Sequence, residues 1–302
     1  MIRMRPGSSA TAFIVGAAGA LGAAALLRRR SPGGAQRWTR RNHAGQPVTL
    51  FEGPAYAVGA AAGALAGGAG APAAVAGLGA ALFGGLDDLG GDGSSKGLRG
   101  HLAAARRGEL TTGAVKIVGL GTTGLISAHL IDRAGQQNGI PATLVGGGVI
   151  AGSANLANLL DLRPGRALKM VLLAAAPLVS ASGGSHTTAT GTGTAACARS
   201  TATATSAAGA AAGAALAMVP DDLAGRTMLG DTGANSAGAL LGTALVARAG
   251  PCGRLVALAV LTALTLASER VSFTSVIEKT PVLRELDALG RPSRTSPTAS
   301  AP

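Results

Sequence analysis

Aromatic residues make up only 2% of this 302-residue chain and charged residues 13%, against about a quarter charged in an average soluble domain. So few charges leave too little polar side chain to cover the surface of a water-soluble domain of this length. The scarcity of Phe, Tyr and Trp also removes the stacking platforms on which single-stranded nucleic acid is held. The net charge of +12 is therefore not a nucleic-acid footprint. Its Lys and Arg residues fall between apolar segments, where membrane orientation accounts for them. Two cysteines, Cys197 and Cys252, have no CxxC or zinc spacing and suggest neither a disulfide nor a metal site. His43, His101, His129 and His186 are scattered and form no ligand cluster.

The chain is rich in small apolar residues, with 48 glycines and a mean hydropathy of +0.38. Gly59, Gly63 and Gly67 are spaced four apart, as are Gly209 and Gly213, a spacing that lets helices approach closely in lipid. Stretches uncharged apart from Lys116 and Lys169 fall at about 10–27, 55–70, 72–86, 111–131, 142–158, 167–181, 204–219, 236–247 and 255–267, some shorter than the ~20 residues a spanning helix prefers. The expected fold is an all-α polytopic membrane bundle of about nine spans. It forms a single integral domain over residues 1–287, followed by a polar tail over 288–302. The first stretch follows Arg3 and Arg5 and ends in Arg28-Arg29-Arg30, which reads as a retained anchor rather than a cleaved leader. Gly70-Ala71-Pro72 reads as a tight outer turn, and the Ser/Thr/Gly/Ala-rich residues 182–206 as an outer loop.

One alternation of spans places twenty of the 26 Lys and Arg residues on the inner side, which puts the N-terminus outside and the C-terminus inside. With it, thirteen of the fourteen acids collect on that same inner side; Asp132 alone lies outside. Carboxylates at the mouth of a membrane bundle are costly unless they pair, bind a cation or do chemistry.

Three segments hold five of them in motif-like settings. In GLDDLGGDGSSKGLRGHL, residues 85–102, an apolar helix runs into Asp87-Asp88, then a glycine-rich turn with Lys96 and Arg99. Repulsion between adjacent carboxylates is relieved by Mg²⁺ or by such cations. In NLANLLDLRPGR, residues 155–166, Asn155, Asn158 and Asp161 recur every third residue ahead of Arg163 and Arg166. Amides, a carboxylate and arginines suit a diphosphate, although polar glue between helices is an equal reading. In MLGDTGANSAGALLG, residues 228–242, Asp231 opens a small-residue helix that also carries Asn235. A helix N-terminus favours an anion and a carboxylate favours a cation, a combination that suits a metal–phosphate complex; a simple capping Asp is the plainer reading.

These three motifs, in this order, resemble those of the polyprenyl-phosphate N-acetylhexosamine-1-phosphate transferases. That family includes phospho-N-acetylmuramoyl-pentapeptide transferase, and the likeness covers most of residues 50–245. The resemblance implies a multi-pass enzyme of the cell membrane that uses Mg²⁺ to join a UDP-sugar to a polyprenyl phosphate in cell-envelope synthesis. It implies that Asp231 ligates the metal, that Asp87 and Asp88 act on the lipid phosphate, and that Asn155, Asn158 and Asp161 hold the nucleotide diphosphate. Lys96, Arg99, Arg163 and Asn235 would contribute to substrate binding. The chain departs from the family in having no histidine in SERVSFTSVIEKTPVLRELDALGR. A catalytically inactive scaffold in envelope assembly is therefore a second expectation, and an ion-coupled transporter a third. The bilayer, the lipid phosphate, the UDP-sugar and a second copy of the chain are the expected partners; nucleic acid is not.

Overall fold

A computed structural model describes residues 9–42, 45–90, 106–108, 111–135, 139–180 and 192–292. Among them the chain forms α1 (Ser9–Arg30), a short α2 (Ala35–Trp38), a hairpin of β1 (Thr39–Arg41) and β2 (Pro47–Thr49), α3 (Glu52–Gly67), α4 (Gly70–Gly90), α5 (Thr112–Gly135), α6 (Ile140–Leu160), α7 (Arg166–Ser180), α8 (Thr192–Leu223), α9 (Gly230–Arg248), α10 (Pro251–Ser268), α11 (Phe273–Lys279) and α12 (Pro281–Ala288). The protein is an all-α polytopic membrane bundle. Among the described residues its nine apolar helices, α1 and α3 to α10, match the nine apolar stretches one for one. Six of them, α1, α4, α5, α6, α8 and α10, are long and apolar enough to cross a bilayer.

The other three explain how so much glycine and alanine becomes a core. Helix α9 sits at the centre, packed against α3, α4, α6 and α8, and nearly every one of its residues is buried. A helix that meets protein on all sides need not be strongly apolar, so GDTGANSAG is tolerated inside the bundle. Two alanine-rich clusters flank it. One is built by α1, α3, α7 and α8, the other by α4, α5, α6 and α10.

The glycine spacing of α3 faces α1. A methyl group on Gly59 would strike the backbone of Ala20, and one on Gly63 the backbone of Ala12 and Gly16. Gly209 and Gly213 of α8 bring that helix equally close to Ser9 and Phe13 of α1. Helices therefore touch backbone to backbone, which supplies dispersion contact where lipid offers no hydrophobic drive between them.

Two expectations are corrected. The turn after α3 is Gly68-Ala69, not Gly70-Ala71-Pro72, which opens α4. Gly68 takes φ 94°, and the bonds Gly68 N–H to Leu65 O (3.1 Å) and Ala69 N–H to Ala64 O (2.8 Å) close the helix with the glycine-dependent end motif. Residues 192–206, expected within an outer loop, form the first half of α8. Its one charge, Arg199, donates to the Ala134 carbonyl at 3.2 Å, and low complexity alone does not prevent a helix.

Alternation of the helices sorts the chain into two poles. One pole gathers the ends of α1, α4, α6, α8 and α10 and the starts of α3, α5, α7 and α9. The β-hairpin is stitched to that pole: Thr49 N–H donates to Arg226 O (3.3 Å) and Met228 N–H to Thr49 O (3.1 Å) in the α8–α9 loop. Asp132 stands at the opposite pole, buried with Arg254 at 2.7 Å and accepting from Thr143 Oγ1 at 2.9 Å. The clasp ties α5, α6 and α10 together.

Candidate functional site

At the acid-rich pole α4 ends beside the beginning of α9. Gly84 and Gly85 of α4 permit this, since a methyl on Gly84 would collide with the Asp231 and Thr232 backbone. Asp88 then lies across the first turn of α9. Its Oδ1 accepts from Asp231 N–H (3.1 Å), and its Oδ2 accepts from Thr232 N–H (2.8 Å) and Thr232 Oγ1 (2.6 Å). A carboxylate from another helix thus satisfies the orphan N–H groups and the positive end of α9. Gly230, at φ 62°, sits against the Asp88 carboxylate, where a β-carbon would approach Oδ2 to 3.0 Å. The capping Asp considered at this helix is real, but it comes from α4 rather than from Asp231. Arg40 of the hairpin donates to the Asp88 carbonyl and fixes the end of α4 from outside.

Freed from capping, Asp231 turns toward α5. Lys116 Nζ donates to Asp87 Oδ2 (2.8 Å) and also to Asp231 Oδ2. Two carboxylates 144 positions apart (231 − 87) therefore converge on one cation. All three side chains are partly buried, with 16–25% of each side chain exposed.

Asp161 caps the end of α6 and faces the same turn of α9, accepting from the Gly230 backbone. Its Oδ2 is buried without a partner. Burial, reinforced by the nearby Asp222 and Asp231 carboxylates, pushes its carboxyl well above the usual range. Glu52, at the start of α3, is 1% exposed; its Oε2 accepts from Thr227 and its Oε1 has no partner. Asp222, also buried, accepts from Gly165 N–H at 2.9 Å. Next to it, Asp221 is engaged by Arg28 and Arg226.

Asp87, Asp88, Asp161 and Asp231 are thus brought together by α4, α6 and α9. Other candidates are placed elsewhere. Asn155 donates to Thr265 Oγ1 (3.2 Å) of α10, which makes it the polar glue weighed above. Asn158 lends its carbonyl to Asp161 N–H (3.1 Å). Asn235 is buried, donates to the Asp231 carbonyl at 2.7 Å and leaves its Oδ1 unpartnered. Arg163 pairs with Glu278 of α11 at 3.0 Å, facing the C-terminal helices. Lys96 and Arg99 lie outside the described residues.

The sequence reading missed Lys116 as a site residue, along with Glu52 and Asp222. The signal for Lys116 was present: a single cation inside an otherwise uncharged span is costly without a partner. Here Lys116 relieves the Asp87 repulsion that was assigned to Lys96, Arg99 or a metal.

A groove of about 410 Å³ opens beside the cluster. Leu82, Leu86 and Leu89 of α4 line it together with Pro54, Trp38, Arg37 and Thr232. Trp38 is held by its indole N–H to Pro32 O (2.7 Å) and packs on Phe51 with ring centroids 5.3 Å apart. The groove and the carboxylates share Thr232, which touches Asp88.

Among the described residues no group of three or more His, Cys, Asp or Glu side chains is arranged as a metal site. Two converging carboxylates are nevertheless the usual protein share for Mg²⁺, which is completed by water and substrate phosphates. Asp87 and Asp231 fit that role; Asp88, with both oxygens committed to α9, does not. No family model and no curated protein matches the chain.

Proposed function

We propose that the protein is a membrane phosphotransferase of the cell membrane that moves a sugar-1-phosphate from a UDP-sugar to a polyprenyl phosphate. The observation that carries this reading is the convergence of Asp87 and Asp231 on one cation, with an apolar groove beside it that reaches Thr232. A lipid phosphate needs such a pairing of features, an acyl track leading to a charge-neutralising site.

In this reading a lipid phosphate oxygen forms a bond to the β-phosphorus of the UDP-sugar, and the bond from that phosphorus to the UMP oxygen breaks. Asp87 and Asp231 would hold Mg²⁺, which when bound neutralises charge on the diphosphate. Lys116 lies between those two carboxylates and supplies a second positive group for a phosphate oxygen. Asp88 positions Asp231 by capping α9. Trp38 and the α4 leucines seat the first isoprene units, with Arg37 at the rim. Asp161, beside Gly230, flanks the nucleotide side. The decisive experiment is release of UMP from a panel of UDP-N-acetylhexosamines by purified protein with polyprenyl phosphate and Mg²⁺. Release that requires both lipid and metal supports the reading; no release across the panel overturns it.

One observation favours a second reading. Lys116 already pairs with both Asp87 and Asp231, and Asp88 is consumed as a helix cap, so the acids have structural employment. An inactive scaffold built on the same bundle would keep them for packing. It would melt at the same temperature with and without Mg²⁺.

A further inference from the structure

Beyond the bundle, α11 and α12 follow directly from the end of α10 and fold back onto the acid-rich pole. The attachment is polar. Arg166 binds Asp287 through Nε–Oδ1 at 2.8 Å and Nη2–Oδ2 at 3.1 Å, and donates to Thr274 Oγ1 at 2.8 Å. Lys169 Nζ donates to the carbonyls of Leu286, Asp287 and Leu289 at 2.7–3.1 Å. Arg291 donates to Pro164 O at 2.9 Å. The clamp fixes one edge of α12 and leaves its apolar side uncovered. At about 100° per residue, Val282, Leu283 and Leu286 form one stripe, with Asp287 and Glu285 at its two borders and Arg284 and Ala288 on the far side. Leu289 extends the stripe just past the helix end. Val282 and Leu289 are each 66% exposed, and Leu283 and Leu286 are exposed as well. Val271 and Val276 continue the exposed apolar surface toward α10.

We propose that α11 and α12 lie in the headgroup layer of the bilayer, apolar stripe inward, and that they favour anionic lipid. A span, α10, delivers the segment to the membrane surface. Exposed aliphatic residues have no protein cover, as the lipid-facing side of an interfacial helix requires. The charges are also sorted: Glu278 and Asp287 are drawn to Arg163 and Arg166 of the bundle, whereas Arg270, Lys279 and Arg284 remain exposed for headgroup phosphates. This inference does not depend on the transferase reading.

The test uses full-length protein with Cys197 and Cys252 replaced by Ser. Single cysteines at Leu283, Leu286, Leu289 and Ala288 each carry an environment-sensitive fluorophore, in nanodiscs containing brominated lipid. Probes at 283, 286 and 289 should be blue-shifted and quenched, and the probe at 288, on the far side of the helix, should not. Lys279→Gln and Arg284→Gln should each lower the bound population about fivefold in anionic discs, as expected for one cation near such a surface. Emission at 283, 286 and 289 that is the same in detergent and nanodiscs, without quenching, overturns the proposal. Shielding without bromine quenching that depends on two copies per disc also overturns it, because a second chain then covers the face. Equal quenching in purely zwitterionic discs removes the anionic preference.

Discussion

Each acid at the candidate site has a different use, and a sequence cannot display that difference. Asp87 and Asp88 are neighbours in the chain, yet one meets Lys116 and the other caps α9. If the cluster is catalytic, Asp87→Asn and Asp231→Asn should abolish Mg²⁺-dependent nucleotide release with the melting temperature retained. Asp88→Ala should instead cost stability, about 0.5–2 kcal/mol for a lost cap, with activity falling through displacement of Asp231. Matched melting curves and release assays check this split, and equal melting losses in all three variants would dissolve it. Asp161 carries a pH signature. Its folded carboxyl titrates above the ordinary range because it is buried near Asp222 and Asp231. Below about pH 4 it is protonated in both the folded and unfolded states. As pH rises the unfolded chain ionises first, so stability is lost until the folded group also gives up its proton. Asp161→Asn should thus gain stability over the wild type as pH rises from about 4 to 7. A melting difference that is flat across that range would show the site to be solvated.

At the scale of elements, spacing was the legible part. Nine apolar stretches gave nine helices, and the four-residue glycine period of α3 marked the face that meets α1. What was not legible depended on long-range geometry. The cap on α9 comes from a residue 143 positions before Asp231 (231 − 88), and no local pattern records such a partner. Lys116 was counted only as one more basic residue, although a lone cation in a span was the clue to an opposing carboxylate. The Ser/Thr-rich start of α8 was misread because composition describes what a segment is made of, not whether a neighbour will bury it. Gly63→Leu tests the backbone contact of α1 with α3. The new side chain has no room against Ala12 and Gly16, so a loss of about 1–3 kcal/mol or more is expected from overpacking. Gly22→Ala, where a β-carbon meets nothing within 4 Å, is the control and should melt like the wild type. Disruption of the Asp132–Arg254 clasp by Arg254→Ala should cost about 3–5 kcal/mol, because a buried carboxylate is left without its partner.

For the whole molecule, function follows from which side of the membrane the acid-rich pole faces. UDP-sugars are cytoplasmic, so the transferase reading requires Asp87, Asp161 and Asp231 to face inward, as the bias of Lys and Arg toward that pole also requires. The native cysteines offer a direct check. Cys252 opens α10 at the opposite pole and is exposed with a free thiol. A membrane-impermeant maleimide added to intact cells should label it. A cysteine placed at Glu285 on α12, with Cys197 and Cys252 replaced by Ser, should label only after the membrane is opened. Labelling at 285 in intact cells, with Cys252 protected until permeabilisation, would invert the bundle. The carboxylates would then face away from any nucleotide-sugar pool, and the phosphotransferase reading would fall with the orientation while the helix packing stood unchanged.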